Sequence, residues 1–61
     1  MTIFDNILLE LASCAKRSDA AEADRLWCII DQKYKDGLLT ACEFYALHSV
    51  AFCIGEEAHN R

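Results

Sequence analysis

The sequence predicts an all-α protein of three short helices, and three observations carry that expectation. Apolar residues recur at helical spacing in three segments, at roughly 3–16, 19–34 and 41–54. A residue able to cap a helix stands at the start of each segment: Thr2, Asp19 and Thr40. The chain has no proline, and its 54% hydrophobic content argues for a packed protein over a disordered one. Short connections between such segments predict an antiparallel array. Residues 1–55 are expected to form one helical domain, with 56–61 a polar, frayed tail.

The first helix is expected to place Phe4, Ile7, Leu8, Leu11, Cys14 and Ala15 on one face and Asp5, Asn6, Glu10, Ser13 and Arg17 on the other. Leu9 points away from the apolar face. Arg17-Ser18 breaks the run, and Asp19 with Glu22 three residues on resembles a capping box. In the second helix Ala20, Ala23, Leu26, Trp27, Ile30 and Tyr34 share the apolar face, Cys28 and Ile29 lie off it, and Asp31 has Lys35 at i+4. Asp36-Gly37 is a turn signal.

The third helix has the clearest start. Thr40 and Glu43 stand at capping-box spacing, Leu39 and Phe44 at the spacing of a hydrophobic staple, and Gly55 is placed to end the helix. Between the caps only Glu43, His48 and Ser49 are clearly polar. Phe44, Leu47, Ala51 and Ile54 form one stripe; Ala41, Tyr45, His48 and Phe52 form a second. Cys42, Ala46, Ser49 and Cys53 form a third, made only of small residues at the 4-3-4 rhythm of a helix–helix seam. A helix apolar on most sides is expected to be covered on most sides. Two neighbouring helices cover about two faces, so the third predicts a homodimer through Cys42, Ala46, Ser49 and Cys53. A chain of 61 residues is also short of core, which favours assembly.

Composition narrows the function classes. A net charge of −4 offers no footprint for nucleic acid or anionic lipid. A helix-turn-helix reading of the second and third segments would lead its recognition helix with Ala41, Cys42 and Glu43, which cannot read base edges. The apolar run 38–54 is at the short limit for a membrane span and contains Glu43 and His48. Direct DNA binding and membrane insertion are therefore the lesser alternatives. The four cysteines, Cys14, Cys28, Cys42 and Cys53, make no CxxC pair or zinc spacing. They are expected to be reduced, packed as small hydrophobes, in a cytoplasmic protein. No nucleophile, base and orienting group cluster, and two glycines make no phosphate loop, so no enzyme activity, metal or cofactor is expected. His48, flanked by Tyr45 and Phe52, reads as a core histidine. What remains is a non-catalytic module that regulates by binding another protein. Leu9 and Ile29, the two large aliphatics off their stripes, are the candidate partner-binding residues.

Two resemblances bear on that reading. The opening MTIFDNILLEL, the three-helix order and Phe44-Tyr45-Ala46 resemble the Hha/YmoA family of small nucleoid-associated modulators. That resemblance implies binding to H-NS-type proteins in place of reading DNA. After Phe44-Tyr45 the chain runs Ala46-Leu47-His48-Ser49-Val50, where the family has a charged run, so no binding residue carries over. In size, acidity, cysteine content and lack of catalytic motifs the chain is also similar to the short helical accessory proteins of lambdoid bacteriophage early regions. This implies a modulator of host processes or phage development.

Overall fold

A computed structural model describes residues 2–59; residues 1, 60 and 61 and the side chain of His59 lie outside the described residues. Three helices form: α1 (Ile3–Arg17), α2 (Ala20–Lys35) and α3 (Ala41–His59). Among the described residues there is no strand.

The helix starts follow the cap chemistry. The Thr2 hydroxyl accepts from Asp5 N–H at 3.1 Å, and the Asp5 carboxylate accepts from Thr2 N–H at 3.4 Å, closing a capping box on α1. Asp19 accepts from Glu22 N–H at 3.1 Å, but Glu22 does not reach back. Its carboxylate instead takes the Arg25 guanidinium, whose hydrogen bond holds the Glu22 carboxyl below its ordinary value. The small stability this surface pair adds is present above the usual carboxylate range. It is lost as pH falls through the lowered value. At α3 both bonds of the expected box form: Thr40 N–H to Glu43 at 2.9 Å, and Glu43 N–H to the Thr40 hydroxyl at 3.2 Å. Thr40→Ala is expected to lower stability by about 0.5–2 kcal/mol, the usual value of an N-cap side chain, read by urea titration.

The helix ends are closed by left-handed residues. Gly37 (φ +78) ends α2, with Gly37 N–H bonded to Tyr34 C=O at 3.0 Å and Leu38 N–H to Lys33 C=O at 3.0 Å. This is the Schellman pattern. Ser18 (φ 50) does the same for α1, with bonds to Ala15 and from Asp19 N–H to Cys14. Gly55 was expected to end α3 and does not: the helix continues to His59. No proline follows Gly55, and Glu56, Glu57 and Ala58 are good helix formers, so one glycine's penalty of about 1 kcal/mol does not break the run. The segment expected as a tail is thus helical through His59.

The core is a single cluster: Ile7, Leu11 and Cys14 from α1, Ala23, Leu26 and Ile30 from α2, Leu39 before α3, and Leu47, Ala51 and Ile54 within it. Leu39 is buried and Phe44 packs against the same cluster, as the staple spacing predicts. Three expected core positions differ. Leu8 and Ala15 are exposed because they sit at the edge of the α1 stripe, and Tyr34 is exposed at the end of α2. The α2–α3 contact is the most extensive of the three helix pairs.

Candidate interaction surface

The α2–α3 seam carries a cluster of rings. His48 lies flat on Trp27, with ring centroids 3.9 Å apart and planes 6° from parallel. Phe44 meets His48 at 4.1 Å and stacks on Tyr34 at 4.2 Å, while Tyr45 meets the edge of Phe44 at 5.5 Å. His48 is therefore a packing residue between the helices, with Nε2 2.9 Å from Asp31 Oδ1. The contact is close but makes no aligned hydrogen bond, so Nε2 is buried without a true partner. Asp31, expected beside Lys35, faces His48 instead because the seam brings the two side chains together.

Beyond this seam, α3 is less covered than its apolar circumference suggests. Among its described residues only the Leu47–Ala51–Ile54 arc is buried. Tyr45 is 67% exposed, Phe52 57% and Val50 36%, large values for a helix this apolar. The expectation that α3 is enclosed on most sides thus fails within one copy, since two short neighbours cover a single arc. The stripe Cys42, Ala46, Ser49 and Cys53 is exposed along its whole length, with no Asp, Glu, Lys or Arg between Glu43 and Glu56.

Between α2 and α3 run two open-sided grooves that share Trp27 and Phe52. One, about 500 Å³, lies over Ala23, Ala51 and Gly55. The other, about 350 Å³, lies over Tyr45, His48 and Cys53. What the sequence does not show is the groove itself, since its residues belong to two separate segments. Ala20 and Ala23 of α2 and Ala51 and Gly55 of α3, all small, line the larger groove together, which only the packing of the two helices brings about.

The candidate partner residues do not behave alike. Leu9 is 55% exposed, whereas Ile29 is half-buried and packs against the core. The reading of both as free aliphatics is corrected for Ile29: at the rim of the α2 stripe, its side chain still reaches the core.

The cysteines also divide. All four are free thiols, but only Cys14 is buried; Cys28, Cys42 and Cys53 are exposed, not packed as small hydrophobes. Burial, then the nearby Asp19 charge, raises the Cys14 thiol above its ordinary value, and its Sγ donates to Asp19 C=O at 3.0 Å. An aromatic disulfide reagent on dilute native protein is therefore expected to label the other three rapidly and Cys14 only after urea is added. Rapid reaction of all four would show that the core opens locally.

Among the described residues no group of three or more His, Cys, Asp or Glu side chains is placed to hold a metal ion. No helix of the described residues is long and apolar enough to cross a membrane. Comparisons with family models, curated proteins and solved structures find no match for the chain.

Proposed function

We propose that this is a non-catalytic interaction module that regulates by binding another protein and works as a homodimer in the cytoplasm. The observation that carries this reading is the outer surface of α3, where Tyr45, Val50 and Phe52 are exposed beside an uncharged stripe of small residues. Exposed apolar area of this continuity marks association surfaces. The stripe residues Cys42, Ala46, Ser49 and Cys53 let two α3 axes approach closely, and the absence of charge between Glu43 and Glu56 lets identical surfaces meet without repulsion. Within each copy the tight connections at 18–19 and 36–40 fit an antiparallel array. The biological setting we assign is the one the phage accessory proteins imply, a modulator of host or phage development.

Sedimentation velocity at micromolar concentration tests the self-association. The expected result is a species of twice the 6.9 kDa chain mass. A monomer across the micromolar range would remove the dimer from this reading.

A further inference from the structure

We propose that the groove between α2 and α3 is a docking site for a basic amphipathic helix of a partner protein. The inference rests on the protein-binding reading above and assigns it a place and a chemistry.

The floor is apolar and built from small residues. Ala23 and Ala51 are buried beneath it, Trp27 and Phe52 wall it, and Gly55 widens its end. Gly55 is the informative position. It lies inside α3 in helical conformation, where glycine costs about 1 kcal/mol against alanine. Among the described residues a Cβ built there would meet nothing within 4 Å, so none of their packing requires the missing side chain. Its effect is to leave the groove open. The volumes of about 500 and 350 Å³ suit a few side chains, and the open sides admit a continuous backbone. An amphipathic helix supplies such side chains from i, i+3, i+4 and i+7.

The rim gives the sign of the partner. Asp24 and Glu56 line the larger groove from opposite helices, both exposed, and Asp31 lies further along the seam against His48. Among the described residues no Lys or Arg lines either groove. An apolar trough lined by Asp24 and Glu56 complements a helix with leucine-like anchors flanked by Lys or Arg. A second copy of this chain is the poorer occupant, since it would bring a net charge of −4 against that rim. Ser49 and Cys53 of the stripe line the smaller groove, so an α3 dimer covers that one; no stripe residue lines the larger groove, and its Gly55 end stays accessible.

The chain has one tryptophan, Trp27, and it lines both grooves, so its emission reports occupancy directly. The probe is a synthetic helical peptide with leucine at i, i+3, i+4 and i+7 and lysine elsewhere. Its controls are a glutamate counterpart and a scramble that breaks the helical spacing. The lysine peptide is expected to bind saturably, change Trp27 emission and outcompete both controls, with the preference for lysine shrinking in high salt. Gly55→Leu, which fills the groove from a position where its side chain meets no neighbour, is expected to weaken binding by about tenfold or more while melting no lower than the native protein. The exposed pair Asp24→Lys/Glu56→Lys is expected to turn the preference toward the glutamate peptide. Equal binding of the lysine and glutamate peptides, or undiminished binding by Gly55→Leu, overturns the proposal. Sedimentation of the same samples keeps the two readings apart. Peptide binding by a monomer supports the groove and removes the dimer. A dimer that ignores the lysine peptide removes the groove and leaves the dimer standing.

Discussion

Leu47→Ala is expected to leave the protein largely unfolded at room temperature. Leu47 is fully buried at the middle of α3, in the one cluster that joins all three helices. Truncating a buried leucine costs about 2–5 kcal/mol, the transfer of the lost carbons plus the cavity left behind. At about 0.05–0.15 kcal/mol per residue, a domain of this size has only a few kcal/mol in total. The substitution therefore consumes most or all of the margin. Urea titration followed by far-ultraviolet circular dichroism should show a folded baseline that is short or missing. Leu9→Ala provides the contrast: Leu9 is 55% exposed, so its unfolding free energy should change by no more than about 0.5 kcal/mol. Equal effects at the two positions would mean that the phase of α1 or α3 differs from the one described.

Ala46→Glu is expected to convert the proposed dimer to monomer without loss of helix. Ala46 is exposed in the single copy and lies on the small-residue stripe, and glutamate is a good helix former, so the fold has no reason to suffer. In a two-fold dimer packed along that stripe, two carboxylates would enter one dry seam. Burying an unpaired charge costs several kcal/mol, which raises the dissociation constant by about a hundredfold or more. Sedimentation velocity should show the 6.9 kDa chain in place of its dimer, with an unchanged circular dichroism spectrum. A variant that still sediments as a dimer would move the contact away from the stripe. Loss of helix would show that Ala46 is packed inside the copy.

Reading the chain alone succeeds where the physics is local. Thr40 and Glu43 bond reciprocally because capping needs only residues three apart. Gly37 closes α2 because a left-handed residue is cheapest as glycine. The core residues Ile7, Leu11, Leu26, Ile30, Leu47 and Ile54 follow from helical period alone. The same reasoning misplaced the end of α3, because a glycine near the end of an apolar run is equally compatible with a cap and with a helix that continues.

What local pattern could not decide is how much of each helix its neighbours would cover. Cys28, Cys42 and Cys53 are as small and apolar as Cys14, yet only Cys14 is enclosed, because coverage depends on where the other two helices lie. The helical period puts His48 on an apolar face, but its neighbours Trp27 and Asp31 come from another helix. The groove is the clearest case. Ala23 and Trp27 belong to α2, Ala51 and Gly55 to α3, and neither set is unusual in its own segment. Caps, turns and helix phase are set by neighbours a few residues apart and are therefore written in the order of the chain. A trough between two helices, lined by carboxylates from both, exists only after packing has brought together residues far apart in sequence.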